Sequence, residues 1–152
     1  MPDRIDIREG FAASRREKRD IPQLRILIVD PDSDFQEKLK GEFAGINPHL
    51  EVSESLEEAK KKLQKAKEKN TPFNIVFAEQ NLPDGKGFDL SRAVLEGEGM
   101  GGSYVILMSS KPETLPPLEE LARFGTLPFN KNGDMREAVQ GAMGAYLLRK
   151  RT

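Results

Sequence analysis

The sequence lacks the residues on which several common kinds of site depend. The 152-residue chain has no cysteine and no tryptophan, and it contains one histidine, His49. Without cysteine there are no disulfides, no thiolate zinc sites and no cysteine nucleophiles. A lone histidine cannot build a histidine-rich metal cluster or, without a suitable neighbour, a catalytic triad. We therefore interpret His49 as a loop or surface residue.

The chain also lacks long apolar runs and any excess of one charge. No stretch approaches the roughly 20 apolar residues that span a bilayer, and residues 1–20 have no apolar segment of the kind found in secretory signals. Lysine plus arginine number 24 and aspartate plus glutamate 25, so the net charge is −1. This balance gives no overall attraction to nucleic acid or anionic membranes. We expect neither as a partner, no membrane insertion, and a cytoplasmic location.

The length suits one domain preceded by a polar extension. Pro22 separates the extension, residues 1–23, from a predicted domain over 24–150. Within the extension, Arg15 and Arg19 belong to a basic cluster that acidic residues offset. These arginines are candidate contacts for an anion such as a cyclic dinucleotide, because guanidinium groups bind phosphate in a bidentate manner. A solvated helix face is the alternative.

Short apolar runs alternate with segments of helical periodicity through the predicted domain. Such runs are typical of strands buried on both faces. Alternating strands and helices predict parallel strands with right-handed crossovers, and hence an α/β doubly wound five-stranded sheet with helices on both faces. The fifth strand is predicted to be short or eroded. The five runs are 26–29, 50–53, 73–78, 104–108 and 127–129.

The second predicted helix begins at a capping box and is rich in lysine. Ser55 is its expected N-cap, and Glu58 stands three residues later, as the capping box requires. Glutamates are interleaved with the lysines, so we interpret them as a solvated face. The lysines of this region are Lys60, Lys61, Lys62, Lys65, Lys67 and Lys69.

Polar or unusual residues stand where the predicted strands end. Ligand sites of doubly wound sheets form at the carboxyl ends of the strands. Asp30 follows the first strand, Glu79 the third and Ser109 the fourth, while Leu127 lies near the fifth. These residues are therefore expected to share one edge of the sheet.

Four segments at these positions resemble the receiver domains of bacterial response regulators. They read Leu-Ile-Val-Asp-Pro-Asp at 27–32, Asn-Leu-Pro-Asp-Gly-Lys-Gly-Phe-Asp-Leu at 81–90, Ile-Leu-Met-Ser-Ser at 106–110 and Leu-Pro-Phe at 127–129. The resemblance covers about residues 24–149. It implies a flavodoxin-like fold with strand order 2-1-3-4-5.

The resemblance also implies a phosphoacceptor pocket, and this chain departs from it at three positions. Asp30 matches one metal-binding acid and Ser109 matches the switch hydroxyl. Pro31 stands in place of the second acid, Glu79 in place of the phosphorylated aspartate, and Leu127 in place of the lysine before a proline. Asn81 begins the loop that borders the pocket.

These departures predict a degenerate receiver without phosphoryl chemistry. Proline offers no side-chain oxygen to a hard cation, so we expect magnesium binding to be lost, with no metal and no other cofactor. Leucine supplies no charge to an incoming phosphoryl group. We expect no enzymatic activity, a role in signal transduction through a protein partner, and a candidate homodimer. The expected partner surface contains Phe124, Thr126 and Phe129.

Three alternatives remain open from the sequence. The chain could still accept a phosphoryl group on Glu79 or on Asp30, as in a phosphorelay. It could bind a small anion such as a cyclic dinucleotide through Arg15 and Arg19. Glu79, whose side chain is one methylene longer than aspartate, either mimics a phosphorylated aspartate or has drifted after the chemistry was lost.

Overall fold

A five-stranded parallel sheet forms the centre of the computed structural model, which describes residues 24–96 and 103–151. Its strands lie in the order β2-β1-β3-β6-β7. Counted without the small hairpin β4–β5, this is the predicted order 2-1-3-4-5. The bounds are β1 Arg25–Val29, β2 His49–Ser53, β3 Ile75–Glu79, β4 Asn81–Leu82, β5 Gly85–Lys86, β6 Tyr104–Ser109 and β7 Thr126–Asn130.

Helices cover both faces of the sheet, as predicted. Those of the described ranges are α1 Ser33–Gly41, α2 Leu56–Glu68, α3 Phe88–Glu96, α4 Leu118–Arg123 and α5 Met135–Arg151, with a 3₁₀ turn at Pro112–Thr114. Helices α1 and α5 pack on one face, and α2, α3 and α4 pack on the other. None of the helices in this part of the chain combines the length and the apolar character that crossing a bilayer requires.

The core consists of two apolar layers, and β1 and β3 each contribute alternate side chains to both layers. Ile28 and Phe77 point toward α1 and α5, and Leu27 and Val76 point toward α2, α3 and α4. All four side chains are inaccessible to solvent. Because successive side chains of a strand face opposite sides, continuous apolar runs are needed where helices cover both faces.

The hairpin β4–β5 is fixed to the start of α2. The Asp84 carboxylate accepts hydrogen bonds from the amides of Leu56 (2.8 Å) and Glu57 (3.0 Å). Hydrogen bonds from the Glu57 and Leu56 amides lower the pKa of Asp84. At the other end of the hairpin, a Cβ on Gly87 would lie 2.2 Å from the Glu79 carbonyl oxygen, so only glycine fits there. These contacts fix the chain that leaves Glu79.

The fifth strand of the sheet is longer than the short or eroded strand expected at 127–129. β7 comprises five residues and pairs with β6 from Thr126 opposite Val105 to Asn130 opposite Ser109. Pro128 does not interrupt it, because an edge strand tolerates a residue that cannot donate a ladder hydrogen bond. The strand therefore ends at Asn130, level with the end of β6.

Candidate functional site

Three of the predicted pocket residues meet at the carboxyl edge of the sheet. Asp30 directly follows β1, Glu79 is the last residue of β3 and Ser109 is the last residue of β6. Since these strands are neighbours in the sheet, their carboxyl ends lie side by side. The side chains of Asp30 and Glu79 are 1% and 10% exposed, respectively. Two carboxylates are thus buried close together.

A lysine that the sequence interpretation missed bridges these two carboxylates. Lys131 follows the last residue of β7, and its Nζ lies 2.7 Å from Asp30 Oδ2 and 2.7 Å from Glu79 Oε1. Its side chain is 12% exposed, and its Nζ lies 4.2 Å from the centroid of the Phe35 ring, within range of a cation–π interaction. We call Asp30, Glu79 and Lys131 the ion triad.

The prediction that Leu127 occupies the place of the lysine is wrong. Leu127 lies opposite Ile106, within the edge strand β7 and before its carboxyl end, and it is 42% exposed. The prediction placed the end of the strand at Pro128 and Phe129, but the strand continues to Asn130. The pocket therefore contains an ammonium group, supplied by Lys131.

The remaining carboxylate oxygens of the triad are held by backbone amides. Asp30 Oδ1 accepts from the Asp32 amide at 2.9 Å, and Glu79 Oε2 accepts from the Asn81 amide at 2.8 Å. Gln36 Nε2 donates to the carbonyl oxygen of Asp30. All four carboxylate oxygens therefore have a donor, which satisfies the requirement that buried charges be paired and hydrogen-bonded.

Burial and pairing act in opposite directions on the charges of the triad. Burial raises the pKa of Asp30, and the hydrogen bond from Lys131 offsets only part of this effect. Burial alone would lower the pKa of Lys131, but its hydrogen bonds with Asp30 and Glu79 outweigh burial and raise that pKa above 10.5. The lysine is therefore protonated at neutral pH.

The raised pKa of Lys131 predicts a loss of stability in alkali. The folded state binds the lysine proton more tightly than the unfolded state, so this contribution is complete below pH 10.5 and is lost as the pH rises further. Burial also raises the pKa of Tyr146 above 10.0, and its contribution falls in the same direction. We expect urea midpoints measured upward from about pH 9 to fall more steeply for the wild type than for Lys131→Met. A Tyr146→Phe background isolates the lysine effect, and equal slopes in that background would contradict it.

The hydroxyl of Ser109 is hydrogen-bonded to the loop that follows β6. Its Oγ accepts from the Lys111 amide at 2.9 Å and lies 3.0 Å from Thr114 Oγ1. Asn81 Nδ2 donates to the same Thr114 hydroxyl at 3.2 Å. The exposed Asn81 is thus joined to Thr114 beside Ser109, whereas the role of Thr114 carries no clear sequence signal. The Ser109 hydroxyl holds the loop after β6 and, in the described part of the chain, does not hydrogen-bond to Glu79.

The residues present do not fit the magnesium ion that the sequence resemblance implies for this pocket. Pro31 is exposed and has no side-chain oxygen, and Asp32 caps α1 by accepting from the amides of Asp34 and Phe35. The oxygens of Asp30 and Glu79 are already hydrogen-bonded. Within residues 24–96 and 103–151, no group of three or more potential metal ligands is gathered.

The predicted partner surface is partly buried. Thr126 is buried, and its hydroxyl donates to Ser91 Oγ at 2.7 Å, so its assignment to the surface is wrong. Phe124 packs edge-to-face on Phe88 with the ring centroids 5.3 Å apart, and Phe129 packs partly against the core layer of α1 and α5. The burial of Thr126 follows from the helix α3 that covers this face.

Large apolar side chains are exposed on the neighbouring elements instead. Leu118 at the start of α4 is 71% exposed, and Leu127 on β7 is 42% exposed. Arg15 and Arg19, the candidate anion contacts, lie outside the described residues.

Comparisons with known proteins show a shared fold at low sequence identity. No family model and no curated protein matches the sequence. Among solved structures, a CheY-like response regulator receiver domain protein from Methanospirillum hungatei JF-1 is similar, with a TM-score of 0.63 and 18% identity over 86% of this chain and 98% of that one. Chemotaxis response regulator CheY4 of Vibrio cholerae gives 0.62 and 18% over 84% and 98%.

A longer response regulator shares the fold over part of its length. DrrB of Thermotoga maritima, described as an OmpR/PhoB homolog, gives a TM-score of 0.64 at 18% identity, over 85% of this chain and 54% of that chain. The resemblance noted in the sequence is confirmed at the level of the fold. The described part of this chain has the fold of a response-regulator receiver domain.

Proposed function

We propose that this chain is a receiver-fold signalling module that acts by binding a protein partner without being phosphorylated. The ion triad carries the proposal. Lys131 is the ammonium group that would have to bind the oxygens of a phosphoryl group in this pocket, and it already bridges Asp30 and Glu79 at 2.7 Å each. A phosphoryl donor would have to separate Lys131 from the accepting carboxylate, and transfer to Glu79 would leave a phosphate dianion and the Asp30 carboxylate beside a single ammonium group.

The carboxylate of Glu79 itself occupies the pocket. Its longer side chain brings a carboxylate to Lys131, where it provides negative charge without any covalent modification. The mimicry is partial, because the Ser109 hydroxyl is engaged by the Lys111 amide and Thr114. We infer that the pocket holds one conformation constitutively.

The rest of the proposal follows from this closed pocket. The module needs no magnesium and no other cofactor, performs no enzymatic reaction, and acts in the cytoplasm as a partner-binding component of a signalling pathway. The exposed Leu118 and Leu127 lie on α4 and β7, next to the surface predicted for the partner, and apolar side chains of this size are suited to the centre of a protein interface.

Exposure to a small phosphodonor tests the proposal. We expect intact-mass spectrometry of the wild type, incubated with magnesium and acetyl phosphate, to show no species heavier by one phosphoryl group. For a partner identified by affinity capture, we expect the dissociation constant with and without the donor to agree within about twofold. A phosphorylated species, or a partner that binds only after donor treatment, would contradict it.

One observation favours a phosphoryl-accepting receiver as the second candidate. The pocket contains a lysine, Lys131, which the sequence interpretation had excluded. A lysine can stabilise the charge of a transferring phosphoryl group. The two candidates differ in the same mass experiment, since the second requires a modified Glu79 or Asp30.

A further inference from the structure

A second charged cavity lies at the opposite edge of the sheet, near the amino end of β1. It has a volume of about 130 Å³ and lies between β1, β2 and the second half of α2. Pockets for drug-sized ligands are typically about 300–1,000 Å³, so this one suits a small ion. It is lined by Arg25, Glu51, Lys62, Lys65, Ala66, Lys69 and Thr71.

The guanidinium of Arg25 is held in place at the base of this cavity. Its Nε donates to the carbonyl oxygen of Thr71 at 3.0 Å, and its central carbon lies 5.2 Å from the centroid of the Phe73 ring. The ring and the carbonyl restrict its rotamers, so little further ordering is needed to bind a ligand. The terminal nitrogens keep donors for an anion, because a guanidinium has five N–H groups.

Three of the six lysines of this region converge on the same cavity. Lys62, Lys65 and Lys69 line it, whereas Lys60, Lys61 and Lys67 do not. Lys62 Nζ donates to the carbonyl oxygen of Val52. In the part of the chain that the structure describes, Lys65 and Lys69 have no recorded carboxylate partner. The lysine-rich face of α2, which the sequence predicts to be solvated, therefore borders a defined cavity on one side.

The lining carries a net positive charge that its one carboxylate does not cancel. Glu51 lies 3.7 Å from a terminal nitrogen of Arg25 and 2.7 Å from His49 Nε2. Four cationic side chains face this single acid, so the cavity attracts anions while the protein as a whole is nearly neutral.

We propose that this cavity binds a phosphate dianion, either free or as a phosphomonoester. A tetrahedral ion with several acceptor oxygens matches a rigid guanidinium surrounded by flexible ammonium groups. The small volume excludes a whole nucleotide, and the open side of the cavity allows the ester group to remain in solvent. The site is separate from the ion triad, so the proposal does not depend on the proposed function.

Titration with inorganic phosphate at constant ionic strength, followed by ¹H–¹⁵N NMR, tests this site. We expect saturable shifts of the amides of Arg25 and of residues 62–71. The variant Lys65→Gln/Lys69→Gln should weaken binding about fivefold or more, because it removes two of the converging charges. Glu51→Gln should strengthen binding, because it removes the opposing charge.

The matched control is Lys60→Gln/Lys67→Gln, which removes the same charge from the same helix outside the cavity. We expect it to bind phosphate within about twofold of the wild type. Shifts that do not saturate, or an equal loss of affinity in both lysine variants, would overturn the proposal. Binding of O-phosphoserine about tenfold tighter than phosphate would identify a phosphomonoester as the ligand, and equal or weaker binding would identify the free ion.

Discussion

Replacing Lys131 by methionine is expected to lower the free energy of unfolding by about 3 kcal/mol, because breaking a buried ion pair leaves an uncompensated charge. Here the substitution leaves two carboxylates, Asp30 and Glu79, buried side by side without their shared cation. Methionine keeps a similar length and packing, so the loss reports on charge. Urea unfolding at neutral pH provides the measurement.

Two controls make this result specific to the ion triad. Lys111→Met removes a lysine from the exposed loop after β6 and should change stability by less than about 0.5 kcal/mol. Adding Glu79→Gln to Lys131→Met should recover part of the loss, because one unpaired carboxylate is removed. A loss of less than about 1 kcal/mol for Lys131→Met would show that the ion triad is not a major stabilising contact.

The deficit of Lys131→Met should also shrink in acid. Burial already raises the pKa of Asp30 in the wild type, and the hydrogen bond from Lys131 lowers it, so the pKa of Asp30 rises further without the lysine. A group with a raised pKa binds its proton more tightly in the folded state, so stability increases as the pH falls through that pKa. A deficit that is constant from neutral pH to about pH 5 would contradict this explanation.

The double variant Pro31→Asp/Glu79→Asp is expected to accept a phosphoryl group under conditions in which the wild type stays unmodified, a difference of roughly a hundredfold or more, since misplacement of a reacting group by about 1 Å can cost that factor. The first substitution adds a carboxylate for magnesium. The second shortens the side chain that now reaches Lys131, which opens space for a phosphoryl group between the two. Lys131, Asp30 and Ser109 then complete the pocket.

Intact-mass spectrometry with magnesium and acetyl phosphate measures the gain. Pro31→Asp alone is the matched control and should remain unmodified, because Glu79 still pairs with Lys131. A folded double variant that binds magnesium but gains no phosphoryl group would show that Pro31 and Glu79 are not what blocks the reaction. Rapid modification of the wild type would contradict the proposed function itself.

The alternation of strands and helices could be predicted from local apolar patterns, because each element buries an apolar face that is visible in the sequence. The continuous run at 26–29 predicted a strand covered on both faces, and β1 is covered in this way. Ser55 caps α2 as expected by accepting from the Glu58 amide. The Glu58 carboxylate accepts instead from the amide of Glu54, one residue earlier than a capping box requires. Such details depend on backbone geometry that spacing does not specify.

The candidate site could be predicted only in part, because its cation depends on where β7 ends. Asp30, Glu79 and Ser109 directly follow or end strands whose bounds the apolar runs indicate. The Pro128-Phe129 match placed the lysine position at Leu127, four residues before Lys131. A weak signal was present in the sequence itself, because Lys131 is the first lysine after the predicted strand at 127–129.

The ion triad joins parts of the chain that are far apart in sequence. Lys131 is separated from Asp30 by 101 positions and from Glu79 by 52. During synthesis the two acids emerge long before their common partner, and closing such long loops is slow relative to local structure formation. Any product truncated before residue 131 keeps two mutually repelling carboxylates at the end of its sheet. The charge balance of this edge of the sheet therefore depends on a residue that follows the last strand, β7.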